Sequence, residues 1–218
     1  GVYDDDMINR RTLSTELNVF SSFSPELPDV YRDAPFLLLG NISPELQLHV
    51  LEQSRQPEFV VADTMDLWIN TAREPLQKLI SKVHLLTLND SEARLLTGKH
   101  NLRECGNIIL EWGPRFVVIK KGEHGAMLLS KDGIFIVPAY PVDEVNDPTG
   151  AGDSFAGGFM GKLAQDGKVD EVDVRRALLY GSVVASFSVQ QFGADSLSGI
   201  TQDRIEKRLS EFQRMMSC

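Results

Sequence analysis

Asp147-Pro148-Thr149-Gly150-Ala151-Gly152-Asp153-Ser154-Phe155-Ala156-Gly157-Gly158-Phe159 joins a bend of small residues to the start of a helix. From Asp153 onward the apolar residues Phe155, Phe159, Met160 and Leu163 fall at helical spacing, so a helix is expected over 152–165. Gly150 and Gly152 carry no Cβ, which lets the backbone bend sharply and approach a ligand. The N–H groups of a first helical turn lack intrahelical partners, and the helix dipole adds partial positive charge there. Such an end favours a phosphate or another anion. A carboxylate beside it repels phosphate; the task that suits it is to take a proton from an attacking hydroxyl. The competing reading of Asp153 is a helix-start acid that merely complements the dipole, worth about 0.3–1 kcal/mol.

Outward from this bend, the chain reads as strand, helix, strand, helix. Phe36–Leu39, Phe59–Ala62, His84–Leu88 and Phe116–Ile119 are short apolar runs that predict buried strands. Helices are expected to open at Ser43-Pro44-Glu45, to follow the second run through about Lys82, and to lie over Asn89–Leu96, 101–112, 170–191 and 201–215. Gly125–Ser130 and Gly133–Val137 are spaced as a hairpin around Lys131-Asp132-Gly133. Residues 1–23 suggest one or two extended segments, with Leu17, Val19 and Phe20 as β-favouring residues. The pattern predicts an α/β domain with a mostly parallel sheet flanked by helices on both faces. In such sheets ligands sit beyond the carboxyl ends of the strands. Asn41, Asp63, Asn89 and Lys120-Lys121-Gly122 fall at those ends and are expected to line one rim.

Composition narrows the classes of partner. The 218 residues carry a formal charge of −9, with 42% hydrophobic content, enough for one large domain. The acidic balance argues against a nucleic-acid or anionic-membrane partner. No apolar run approaches a membrane span, and Gly1-Val2-Tyr3-Asp4-Asp5-Asp6 is too acidic for a signal peptide. Cys105 and Cys218 show no metal or disulfide spacing, so free thiols in a reducing cytoplasm are the expectation. His49, His84, His100 and His124 lack metal-ligand spacing as well.

Three ordered motifs make the 147–159 stretch resemble the C-terminal signature of the ribokinase-like, or PfkB, carbohydrate kinases. Asn89-Asp90-Ser91-Glu92 is similar to that family's N-x-x-E motif, and Val117–Gly125 to its strand plus glycine loop at the nucleotide. The resemblance implies a ribokinase-like fold with a remnant of a small β lid over 1–23 and a kinase core over 24–218. It implies ATP and Mg2+ as cofactors, and transfer of the γ-phosphate to a sugar hydroxyl, or to a nucleoside in the neighbouring reading. Asp153 then matches the general base, and Gly150, Ala151, Gly152 and the Asp153 amide match the anion hole.

Lys120, Gly122 and Gly125 match the nucleotide loop, where many relatives carry Thr in place of Lys120. Asn89 and Glu92 match magnesium positioning, most readily through bound water; they equally form a capping box on paper. Asp147 and Thr149 fall where relatives bind a monovalent cation such as K+. Ser182 and the Gly193-Ala194 pair fall at the adenine pocket, and Asn41 and Asp63 on the acceptor side. Trp68 is expected to pack its helix rather than stack on a sugar.

The front departs from the family. Tyr3, Asp6, Asn9, Arg10 and Arg11 resemble the late part of the lid, and the family's acidic sugar-binding residue and paired glycines are not among these residues. With Gly rather than Met at position 1, a trimmed piece of a longer chain is the expectation. A homodimer through the lid is implied by resemblance alone. If the short front were natural, a catalytically silent binding module would be the rival class.

Overall fold

The computed structural model describes residues 2–3, 10–11, 16–193 and 195–217; Asp6, Asn9, Ala194 and Cys218, singled out above, lie outside them. At the front, β1 (Val2–Tyr3) and β2 (Arg10–Arg11) pair antiparallel as a separate two-stranded ribbon. Residues Asn18–Ser22 form a 3-10 helix instead of the extended segment expected there. Asn18 takes a positive φ of 48°, which breaks the strand alternation that Leu17, Val19 and Phe20 suggested. A short helix, α1 (Asp29–Arg32), then leads into the core.

The core alternates as the apolar runs require. The succession is β3 (Phe36–Leu39), α2 (Pro44–Gln53), β4 (Phe59–Asp63), α3 (Asp66–Thr71), α4 (Arg73–Ile80), β5 (Leu85–Asn89), α5 (Asp90–Thr97), α6 (Leu102–Glu111) and β6 (Phe116–Lys120). A hairpin of β7 (Ala126–Ser130) and β8 (Gly133–Val137) follows, turning at the expected Lys131-Asp132. The chain closes with α7 (Ala151–Asp166), α8 (Glu171–Ser188), α9 (Asp195–Ser198) and α10 (Gln202–Met216). The one long helix expected up to Lys82 is two, because Ala72 leaves the helical region at φ −133° and ψ 42°. Pro75, placed in the first turn of α4, has no N–H to leave unsatisfied there.

The sheet runs β3-β4-β5-β6-β7-β8, with β3 to β6 parallel and the hairpin antiparallel. Alternate residues of β3 to β7 feed two cores. On one face Val60, Ala62, Leu86, Leu88, Val117 and Ile119 pack against α2, α4, α5 and α6. On the other Val61, Leu85, Phe116 and Val118 pack against Phe155 and Phe159 of α7, Leu178 and Val183 of α8 and Phe212 of α10. Burying each such side chain contributes roughly 1.5–3 kcal/mol, so both faces are strongly driven. No helix among the described residues is long and apolar enough to cross a membrane.

Two contacts decide where α7 lies. A Cβ on Gly158 would sit 2.8 Å from the Val184 side chain, and one on Gly181 would sit 2.8 Å from the Phe155 carbonyl oxygen. Gly158 of the 147–159 stretch is therefore a packing residue, and with Gly181 of α8 it lets the two helices touch. Their close approach fixes the start of α7 against the strand ends.

Candidate active site

Parallel strands deliver Asp63, Asn89 and Lys120 to one edge, as the final residues of β4, β5 and β6. Asn89 and Lys120 are direct register partners across β5 and β6. Lys120 reaches further: its Nζ lies 3.3 Å and 3.2 Å from the two carboxylate oxygens of Asp63. The pair is well shielded, with side-chain exposures of 18% and 8%. Nζ also lies 3.3 Å from where a Cβ would stand on Gly152. The ammonium is thus held between a carboxylate and the first turn of α7, where a Cβ at position 152 would crowd it by a few tenths of an ångström.

The bend ahead of α7 is built locally. Gly150 sits at φ 80° and ψ 0°, the left-handed region that costs other residues energy, and caps α7. The Ala151 amide donates to the Pro148 carbonyl, and the Ser154 amide to the Gly150 carbonyl. Asp147 organises the approach: its Oδ1 accepts from the Thr149 amide at 2.9 Å and its Oδ2 from the Gly193 amide at 3.3 Å. Hydrogen bonds from Thr149, and then from Gly193, hold the Asp147 carboxyl below its ordinary range. The Asn146 and Asp147 amides bond the Val189 carbonyl, so the bend is tied to the end of α8 and the loop that follows. Asp153 is exposed to solvent in the first turn of α7.

Electrostatics mark the same edge. Burial raises the Asp63 carboxyl above its ordinary value; the charge of Lys120 and the bonds from Lys120 and the Thr64 amide oppose this, and the Asp153 charge adds to the rise. Burial pushes Glu92 up to about 7, against the Asn89 amide bond and the Lys120 charge, with Asp63 and Asp66 adding repulsion. Asn89 and Glu92 form both bonds of a capping box: Asn89 Oδ1 accepts from the Glu92 amide at 2.8 Å, and Glu92 Oε2 from the Asn89 amide at 2.7 Å. This local role coexists with the place at the rim, because the helix starts where the strand ends.

The remaining candidates are distributed around this centre. Asn41 is tied to Trp68, whose Nε1 donates to Asn41 Oδ1 at 3.0 Å, so the indole fixes the loop after β3. Gly122 lies in a one-turn 3-10 helix after β6, at φ 55°. Gly125, at φ 81°, is pinned from outside: a Cβ there would stand 2.0 Å from the Val137 carbonyl oxygen. Ser182 is buried within α8, and among the described residues no hydrogen bond joins it to the other candidates.

Two residues escaped the sequence reading. Gln47, 1% exposed on α2, donates through Nε2 to the carbonyls of Leu39, Gly40 and Asp63. It clamps the ends of β3 and β4 together; the signal would have been an amide beside Leu48 in the inward stripe of α2. Asp66, which repels Glu92, follows Asp63 by three residues. A concavity lined by Glu45, His49, Glu52, Glu74 and Lys78 lies between α2 and α4 and shares no residue with the rim.

Comparison with known proteins agrees with this architecture. The chain is 33% identical over 150 residues to a cytidine kinase of Thermococcus kodakarensis, covering 66% of this chain and 53% of that protein. It is 34% identical over 140 residues to a ribokinase of Bacillus subtilis, covering 64% and 44%. The chain thus spans about half the length of these curated relatives. Among solved structures, a nucleoside kinase of Methanocaldococcus jannaschii superposes with a TM-score of 0.70 at 21% identity, covering 89% of this chain and 60% of that one. Arabidopsis thaliana ribokinase complexed with ribose and ATP superposes with a TM-score of 0.69 at 24% identity, covering 83% and 57%. These two likenesses establish the ribokinase-like fold. The profile described as pfkB family carbohydrate kinase matches residues 42–200, a span that takes in the strand ends, the glycine bend and the loop after α8. The chain belongs to the pfkB family of carbohydrate kinases.

Proposed function

We propose that this chain carries the nucleotide and catalytic half of an ATP-dependent kinase that phosphorylates a hydroxyl of a sugar or nucleoside. The single observation that carries the reading is the convergence at α7: Lys120 Nζ stands beside Gly152, one residue from an exposed Asp153. Family membership and the kinase names of the curated relatives support the class of reaction.

In this reading Asp153 accepts the proton of the acceptor hydroxyl as its oxygen forms a bond to the γ-phosphorus. The bond from that phosphorus to the β-phosphate bridging oxygen breaks, and ADP leaves. The amides at 150–153 and the Lys120 ammonium balance the charge that spreads over the transferring group. Alignment and electrostatics supply most of the acceleration, and no covalent enzyme intermediate is needed. Gly122, Gly125, Ser182 and Gly193 bound the nucleotide, and Asn41 and Asp63 face the acceptor side.

The donors fit a magnesium ion. Glu92 is a shielded carboxyl pushed up to about 7 among other carboxylates, an environment that a divalent cation would relieve. Asn89 and Glu92 would hold Mg2+ through its waters, and the ion would neutralise phosphate charge. Asp147 and Thr149 offer oxygen donors suited to K+. A homodimer through the front ribbon, and division into a lid segment over 1–23 and a core over 24–218, complete the proposal.

The test is ATP consumption by the intact protein with ribose, fructose, ketodeoxygluconate, inosine and adenosine. Acceptor-dependent ADP formation with a sugar or a nucleoside supports the reading and separates the two acceptor classes. ATP binding without acceptor-dependent turnover across a broad panel would favour a silent binding module.

A further inference from the structure

The Asp63–Lys120 pair crosses an entire strand, since β5 lies between β4 and β6. Asp63 is not free to follow its partner. Its Oδ1 also accepts from the Thr64 amide at 3.0 Å, and its own carbonyl accepts from Gln47 Nε2 at 2.9 Å. The carboxylate is therefore a fixed acceptor, and the long lysine side chain is the adjustable member.

A second neighbour of Nζ is Gly152 in the first turn of α7, and the amides of such a turn present partial positive charge. An ammonium beside that charge is disfavoured unless an anion holds it there; Asp63 is the carboxylate within hydrogen-bonding distance, and the more distant Glu92 carboxyl also feels the Lys120 charge. A phosphate seated on the same amides presents its oxygens to the same Nζ. An ammonium has three donors, and each one given to phosphate is withdrawn from Asp63 or shared with it.

We infer that Asp63 sets the phosphate affinity of this site through Lys120, as a built-in competitor for the ammonium. This rests on the proposed reading of the α7 terminus as a phosphate seat. It gives Asp63 a role that needs no contact with the acceptor alcohol: it keeps Lys120 folded over α7 and lowers the affinity for the triphosphate, which favours turnover over retention. Any effect of Asp63 on nucleotide binding then passes through Lys120 and vanishes without it.

The experiment is calorimetric titration of MgATP, with adenosine as control, into the protein and its Asp63→Asn, Lys120→Thr and doubly substituted variants. Threonine is chosen because it removes the charge and keeps a short, polar, β-favouring side chain at the end of β6. Asp63→Asn is expected to tighten ATP binding by about 3- to 10-fold, the scale of one partly shielded charge interaction, and to leave adenosine unchanged. Lys120→Thr weakens ATP about 10-fold, and the double variant matches Lys120→Thr within about two-fold. Should Asp63→Asn not fold, judged by circular dichroism, Asp63→Ser replaces it in the same cycle.

Weaker ATP binding in Asp63→Asn overturns the inference, and so does an Asp63 effect that persists in the Lys120→Thr background. Equal changes for ATP and adenosine would reduce Asp63 to a merely structural role and overturn it too. A wild-type protein that binds ATP no more tightly than adenosine would sink the phosphate-seat reading itself.

Discussion

Lys120 Nζ lies 3.2 Å from Asp63 Oδ2, although the two residues end strands that are not neighbours in the sheet. The contact ties the edge of β4 to that of β6 and places a cation against the start of α7. Strand order, helix packing and charge therefore meet at one point, and the consequences can be tested residue by residue.

Gly125 and Gly122 share a loop and a positive φ but differ in their surroundings. Alanine at 125 would collide with the Val137 and Pro138 backbone, which cannot yield without moving β8. Alanine at 122 meets nothing within 4 Å. Urea denaturation is expected to show Gly125→Ala losing about 3 kcal/mol or more, and Gly122→Ala about 1 kcal/mol. Equal losses would mean that the loop, not the hairpin contact, sets the requirement for glycine.

Gln47 holds three carbonyls at the ends of β3 and β4. Gln47→Met keeps the volume and removes the donors, leaving buried acceptors unpaired. A stability loss of about 2–3 kcal/mol is expected in urea. ATP affinity should also change, because the Asp63 backbone loses its anchor; a stability loss with unchanged ATP affinity would separate the clamp from the site.

His84 gives the fold an acid-sensitive point at the opposite edge of the sheet. Its Nδ1 accepts from the Val60 amide at 3.0 Å, and its ring stacks on Phe59. Burial, and then the charge of Arg115, lower its pKa from the ordinary 6.5. The folded state thus binds the proton less readily than the unfolded one, so this contribution is complete above about pH 6.5 and is lost as pH falls through the lower folded value. His84→Asn, which keeps an acceptor but does not titrate, should flatten the decline in thermal midpoint between pH 7 and pH 5. An unchanged slope would show that other groups carry it.

The extent to which the chain announced this arrangement varies by element. Four apolar runs bounded by polar residues located β3 to β6 within a residue or so, since a strand buried on both faces leaves little alternative. The glycine bend and the capping box were legible because Gly150 and Asn89 act on their own neighbours. The break at Ala72 was passed over although Pro75 announces it: in one continuous helix Pro75 would lack an N–H for the Thr71 carbonyl, and the break puts it in a first turn instead. The reach of Lys120 to Asp63 was not legible, because it depends on strand order and spans the width of β5. Gln47 was passed over because a glutamine in an amphipathic helix reads as surface until its carbonyl partners are known.

The most direct test of the catalytic centre compares the intact protein with its Asp153→Asn variant, measuring ATP affinity and acceptor-dependent ADP formation together. The account predicts ATP binding within about three-fold of the wild type and turnover reduced by about 10²- to 10⁴-fold, the scale of a lost general base. Turnover at the wild-type rate in Asp153→Asn would contradict it.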